Sequence, residues 1–280
     1  MEARFRCYVP QNELLRKYIS YFYTDYCENE NYTGKYSFYP HIFTTLSFYK
    51  QSSMSLTDDQ PIYHDPHQPL LKLLTHQHSI QTVSQRGKID KIGIVFYPLG
   101  LNHFVTDPYC KIAPDEKQIF NPENTRLWDE KLIQIFCENE VEVRMKQLEG
   151  FLVNIYRPRN YDTMYSVLKT LNDVGNLKSI PEIAKDHHMS HRSLNRLFQR
   201  EMGISPEKYR MIARFRFAVN ERILSNRDSM LTEIAYDSGY LDQPYMIKCF
   251  RKLTGLSPRA FFEGGTHIGL KDTFWHIKEK

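Results

Sequence analysis

The sequence predicts a two-domain chain: an α+β N-terminal domain, β-rich and closed by helices, then an all-α C-terminal domain. Three observations carry this. The 280 residues suit two domains of roughly 100–200 residues each. Fourteen Phe and Tyr crowd into residues 1–50, and aromatic side chains favour strands. Beyond residue 160 the apolar residues keep helical spacing, and no strand is expected there.

In chain order, Tyr18, Tyr21, Phe22, Tyr23 and Tyr26 are spaced for a helix with an aromatic face, packed in a core or domain interface or walling an effector pocket. Residues 36–49, rich in aromatic and β-branched side chains, read as strands. Residues 60–64 and 79–83 are weaker strand candidates, and the apolar run at 91–97, ended by Pro98, is a buried strand. Gly34, Pro61 and Gly87 punctuate these runs as turns. Two helices follow at 127–137 and 141–156, with Leu132, Ile135 and Phe136, then Val141, Met145, Leu148, Leu152 and Ile155 on their apolar faces. Arg157-Pro158-Arg159-Asn160 breaks the pattern. The expected organisation is a regulatory domain at 1–155, a helical domain at 161–263 and a tail of unassigned role at 264–280.

Helices are expected at about 161–172, 179–187, 191–202, 206–224, 230–238, 243–254 and 258–263. Ser179 and Glu182 form a capping box around Pro181. Ser205-Pro206 and Ser257-Pro258 each set a Ser cap before a Pro at the first helical position. Asp242 caps a helix with Pro244 in its first turn.

A repeat runs through this half. Ile180-Pro-Glu-Ile-Ala184 returns as Leu231-Thr-Glu-Ile-Ala235, offset by 51, and the segment from Phe198 to Pro206 returns at Phe250 to Pro258, offset by 52. One extra residue therefore falls between the two matched blocks of the second copy, in the turn or at the start of the next helix. Each copy reads as short helix, tight turn, second helix. The second helix packs Leu194, Leu197 and Phe198 in one copy, and Met246, Ile247 and Phe250 in the other. Its other face is polar: His191, Arg192, Asn195, Arg196 and Gln199, then Gln243, Tyr245, Lys248, Arg251 and Lys252. That is a helix-turn-helix pattern with a basic, amide-bearing second helix.

This chemistry suits DNA. Arg pairs with guanine O6 and N7, and Asn or Gln with adenine N6 and N7. Residues 1–160 carry 18 Lys+Arg against 19 Asp+Glu, whereas residues 161–280 carry 19 against 14, so the positive charge lies in the helical half. A linker helix of about 19 residues is roughly 28 Å long at 1.5 Å per residue, suited to setting two recognition helices about one DNA turn apart.

The residues from Tyr161 to Phe262 resemble the AraC/XylS family of bacterial transcription regulators: IPEIAKDHHMSHRSLNRLFQREMGISPEKY, RFRFA at 214–218, LTEIAYDSGY and CFRKLTGLSPRAFF. The resemblance implies two helix-turn-helix units joined by a long helix, binding double-stranded promoter DNA and acting on RNA polymerase. By matching position it implies base contacts at Arg192, Asn195 and Arg196 in the first unit and Gln243, Tyr245 and Lys248 in the second. Phosphate contacts are expected at Ser190, His191, Ser205, Arg214, Arg251 and Lys252. The second unit departs from the family pattern: Pro244 replaces a small polar residue, Met246 a Phe and Lys248 an Arg. Lys lacks the bidentate fork of Arg, so this unit is expected to supply affinity more than discrimination.

The first 155 residues resemble an uncharacterised domain found ahead of such modules, through Pro10 before Leu14-Leu15 and Tyr18-Ile19, Tyr39-Pro40, and Gly87 before the run from Ile92 to Gly100. In relatives such domains sense an effector, dimerise, or both. The expected small-molecule effector site gathers Tyr21, Phe38, Phe43, Phe48 and Tyr97, and a homodimer is the expected assembly if this domain dimerises.

Other chemistry finds little support. No glycine-rich phosphate loop, G-x-S-x-G elbow or H-E-x-x-H occurs, so no enzyme activity and no cofactor are expected. A cysteine methyl-acceptor module needs clustered cysteines, and Cys7, Cys27, Cys110 and Cys137 are scattered. The five cysteines hold no C-x-x-C pair, which suggests a reduced, cytoplasmic protein without a disulfide framework. His64, His67, His76 and His78 have metal-compatible spacing but read as a polar turn, and no metal is assigned. His187-His188 reads as a solvated turn tip. No apolar run approaches the roughly 20 residues that cross a bilayer, and the first 20 residues lack a secretory apolar core, so no membrane partner is expected. A helical-repeat protein adaptor, and a regulator whose first domain only dimerises, remain the alternatives.

Overall fold

The computed structural model describes residues 5–57, 60–62, 70–75, 78, 80–112, 119–224, 231–263, 266–268 and 273–278. The first domain contains β1 (Phe5–Tyr8), α1 (Glu13–Arg16), β2 (Ile19–Cys27), β3 (Thr33–Phe38), β4 (Thr44–Thr57), β5 (Gln60–Ile62), β6 (Leu71–Thr75) and β7 (Gln81–Phe96). A 3-10 turn at Leu101–His103, α2 (Tyr109–Ile112), α3 (Thr125–Cys137) and α4 (Val141–Ile155) complete it. The helical half holds α5 (Asp162–Asn172), α6 (Ile180–Asp186), α7 (His191–Met202), α8 (Pro206–Leu224), α9 (Leu231–Asp237), α10 (Gln243–Thr254) and α11 (Pro258–Glu263), followed by β8 (Thr266–Ile268) and β9 (Thr273–Lys278).

The strands form one antiparallel sheet in the order β1-β2-β7-β3-β9-β8, with β4 also on β7, and β5 and β6 on β4. The 16-residue β7 is its spine, pairing with β2, β3 and β4. Helices α3 and α4 cover one face, where Phe22, Leu46, Phe48, Ile92, Ile94 and Phe96 meet Trp128, Leu132, Leu148 and Leu152. Asp90 on β7 and Arg144 on α4 lock this layer with two parallel hydrogen bonds, 2.8 and 3.2 Å long, both side chains being nearly buried.

Three sequence expectations are corrected. The aromatic segment at 18–26 is strand from Ile19 onward, within β2, and not a helix. Phe22 enters the helix-covered core while Tyr21 and Tyr23 pack on the opposite face, which is the period-2 alternation of a strand buried on both sides. Gly34, Pro61 and Gly87 lie inside β3, β5 and β7 rather than in turns. Gly87 has φ +75° and donates its N–H to Tyr32 O at 2.9 Å, so the chain kinks and continues pairing. Finally, β8 and β9 are strands beyond residue 161. β9 pairs antiparallel with β3, so the last described segment extends the sheet of the first domain. A six-residue segment becomes a strand where an open edge is available, and that edge is invisible in the local sequence.

The helical half follows its expected spans closely. The capping box at Ser179 and Glu182 is formed, and Gly203 and Gly255 end α7 and α10 in the left-handed conformation. The two domains are joined by packing. Tyr39 and Leu99 belong to the same apolar cluster as α5 to α11, and the Tyr39 ring meets Phe261 edge-on with centroids 4.8 Å apart. Among the described residues no helix is long and apolar enough to cross a membrane.

Candidate nucleic-acid interface

The two copies of the repeat share the key bonds of their turns and caps. In the first, Met189 N donates to Ala184 O at 2.9 Å, and His188 has φ +55°. In the second, Tyr240 N donates to Ala235 O at 3.0 Å, and Gly239 has φ +71°. A Cβ on Gly239 would stand 2.2 Å from Val174 O, so only glycine fits there. The next helices are capped alike: Ser190 accepts from Ser193 N, and Asp242 from Tyr245 N at 2.7 Å. The turns match at an offset of 51 and the caps at 52. The extra residue is therefore Leu241.

On α7, Arg192 and Arg196 are exposed and four residues apart, so they share one face, and neither has a hydrogen-bond or ion-pair partner among the described residues. Asn195 is half-buried and donates one amide hydrogen to His191 O at 3.1 Å, which leaves its carbonyl and second hydrogen for a base edge. His191 Nε2 lies 2.9 Å from Glu207 Oε1. Burial raises the Glu207 carboxyl, but the bonds from His191, its own backbone and Ser205 outweigh that and hold it below its ordinary value. Ser205 caps α8 by accepting from Lys208 N at 3.2 Å.

On α10, Tyr245, Lys248, Arg251 and Lys252 are exposed, as the repeat requires. The Thr232 hydroxyl donates to Gln243 Oε1 at 2.8 Å, leaving the Gln243 NH2 to donate elsewhere. Arg214, expected at phosphate, is half-buried: its guanidinium donates to Asn176 O at 3.4 Å and its Nε is buried between the loop after α5 and the second turn. Sequence reasoning missed two further basic groups of α8, Lys208 and Arg210. Lys208 is close enough to Lys252 for repulsion, which together with burial lowers its pKa. Arg210 is likewise lowered by burial and by Arg214. Their spacing from each other was readable, but their approach to α10 depends on the helix crossing.

The expected effector residues do not line one cavity. Tyr21 and Phe43 pack together, and Phe43 meets the Tyr97 ring edge-on at 5.2 Å. Phe38 belongs to a separate cluster with Tyr36 and Tyr49, and Phe48 faces the helix layer, stacked on Trp128 at 5.9 Å. Between them Lys91 is buried, its Nζ 4.9 Å over both the Tyr23 and Tyr49 rings. Tyr97 instead lines an open cleft of about 560 Å³ at the junction of the domains, with Pro98, Tyr165, Leu168 and Lys169. His64, His67 and His76 lie outside the described residues, and among those described no group of three His, Cys, Asp or Glu is placed to hold a metal.

A further polar cluster lies where the domains meet. Asn102 Nδ2 donates to Glu201 O at 2.9 Å and to Glu201 Oε2 at 3.2 Å, and Tyr161 OH donates to the same Oε2 at 2.8 Å. Glu201 sits in the last turn of α7 at 5 % exposure. Burial raises the Tyr161 phenol, which stays protonated to donate. No sequence signal marks this cluster, since its members are 99 and 40 residues apart.

Residues 183–264 match a family model described as a helix-turn-helix domain. The HTH-type transcriptional regulator GbdR of Pseudomonas aeruginosa is 30 % identical over 85 residues, covering 30 % of this chain and 23 % of that protein. The HTH-type transcriptional activator RhaS of Escherichia fergusonii is 30 % identical over 82 residues, covering 29 % of each chain. Both bear the names of transcription regulators rather than enzymes, and the match spans about a quarter of their own length. A crystal structure of ToxT from Vibrio cholerae aligns over 86 % of this chain and 98 % of its own, with TM-score 0.46 and 12 % identity.

Proposed function

We propose that the chain is a sequence-specific DNA-binding transcription regulator whose C-terminal region is an AraC-type helix-turn-helix domain. The observation that carries this is the duplicated unit, each copy offering an exposed basic face on its second helix: Arg192 and Arg196 on α7, Lys248, Arg251 and Lys252 on α10. In this reading α7 and α10 enter successive major grooves of double-stranded promoter DNA, and α8 holds them apart. Arg192, Asn195 and Arg196 read base edges while Ser190, Arg251 and Lys252 meet phosphate. RNA polymerase is the partner such a regulator acts on.

The first domain, residues 1–155, controls this activity by its grip on α7. Asn102 holds the end of the helix whose exposed face reads DNA, so a ligand that shifts the 3-10 turn at Leu101–His103 changes the pose of that face. The cleft beside Tyr97 and Tyr165 borders both domains and is the effector site this reading favours. The experiment is enrichment of fragmented genomic DNA by the full chain, with the Arg192→Ala/Arg196→Ala variant in parallel. A sharp motif lost in the variant supports the regulator reading. No motif, together with release from heparin at low salt, favours a protein adaptor.

A further inference from the structure

Leu241 is the one residue by which the second unit exceeds the first, and its surroundings are unusual for a leucine. It stands immediately before the cap of α10. At that position an apolar side chain ordinarily packs onto the fourth helical residue and fixes the entry of the helix. In the first unit Met189 does pack into the core that holds Leu194. In the second, Tyr240 takes the place of Met189: it is buried in the same cluster and makes the equivalent backbone bond. Met246 beneath it is fully buried. The insertion has pushed Leu241 out of the fold, to 77 % exposure, beside the end of α10 that enters the groove in the reading above.

The same end of α10 is poorly equipped to hold phosphate. Pro244 has no N–H, the Tyr245 N–H is taken by Asp242 Oδ1, and the Asp242 carboxylate repels an anion. The corresponding end of α7 is capped by a neutral serine. Beside the Gln243 amide, what α10 offers at its tip is apolar and aromatic: Leu241 and the exposed ring of Tyr245. In a major groove only one base-edge group is apolar, the C5 methyl of thymine.

We propose that Leu241 is a specificity-determining residue that recognises a thymine methyl, so the second unit discriminates through apolar contact whereas the first uses the hydrogen bonds of Arg and Asn. This rests on the DNA-binding reading and revises the expectation that the second unit supplies affinity more than discrimination. The charged residues Lys248, Arg251 and Lys252, further along α10, supply the backbone attraction that brings Leu241 to the base pairs.

The test uses the motif enriched from genomic DNA and the full-length protein. Each thymine of the second half-site is replaced singly by deoxyuridine, which removes the methyl group and nothing else. The wild type is expected to bind about fourfold more weakly at one such position, the effect of losing one buried methyl-sized group. Leu241→Ser is expected to bind the thymine and deoxyuridine sites equally at that position, while keeping the effect of base changes under Arg196. Indifference of the wild type to every deoxyuridine, or unchanged sensitivity in Leu241→Ser, overturns the inference and leaves the regulator reading intact. Failure to enrich any motif overturns both, and the loss under Arg192→Ala/Arg196→Ala tells the two failures apart.

Discussion

Asn102 grips Glu201 twice, through the backbone carbonyl at 2.9 Å and the carboxylate at 3.2 Å, and so ties the first domain to the last turn of α7. The partners are buried, and Tyr161 and Arg200 complete the carboxylate's hydrogen bonding. A side chain from a β-rich domain thus bears directly on the pose of α7.

Removing that grip has a defined cost. Asn102→Ala leaves buried acceptors of Glu201 without their donor, which costs about 1–3 kcal/mol. A lower melting temperature and faster amide exchange in the last turn of α7 are the expected results. Asn102→Asp is expected to be worse, because it sets a second carboxylate against Glu201. Unchanged exchange in α7 would show that other contacts between the domains, such as Tyr39 on Phe261, hold α7 without Asn102.

In the first unit, Arg196→Ala is expected to weaken binding to the preferred site by about 1–3 kcal/mol and to relax selection at one base pair. Titrations on preferred and random DNA check this. Equal losses on both would move Arg196 from base edge to phosphate.

His103 predicts a pH response. It is 2 % exposed, tilted against Tyr18 at 4.3 Å, and bordered by Tyr156, Tyr161, Tyr165 and the charge of Arg159. Burial lowers its pKa below the ordinary 6.5. A group depressed in the folded state contributes stability that is complete above its unfolded value and lost as pH falls through the folded one. Melting temperature should therefore drop as pH falls below about 6.5, and His103→Phe should remove the part of that drop due to this ring. A profile identical in His103→Phe would assign the acid sensitivity elsewhere.

Asp90 and Arg144 make a test of the first domain's core. Arg144→Leu alone strands a nearly buried carboxylate and is expected to cost about 3–5 kcal/mol, whereas replacing both partners by leucine is expected to cost far less. Denaturant midpoints of the single and double variants measure the difference. Equal destabilisation would mean the pair contributes through packing, not charge.

The sequence by itself determined the helical half. The boundaries of α5 to α11 are local matters of capping serines, glycine stops and apolar spacing, and the duplicated motif by itself exposes the arrangement of two units. Arg192, Arg196, Lys248, Arg251 and Lys252 were legible as an exposed face because helical periodicity fixes which residues share a side. Tertiary structure alone decided the rest. Segment 18–26 satisfies helical and strand spacing alike, and only pairing with β1 and β7 made it a strand. Arg214 looks like a surface cation until the second turn closes over it. Asn102, Tyr161 and Glu201 meet across long stretches of chain, and β9 exists because β3 leaves an edge to pair with. Leu241 could be counted as an insertion but not located, since its place depends on which backbone amide reaches Ala235. Local propensity writes the elements, whereas burial, pairing and domain contact are long-range and acquire their energies only once the chain has folded.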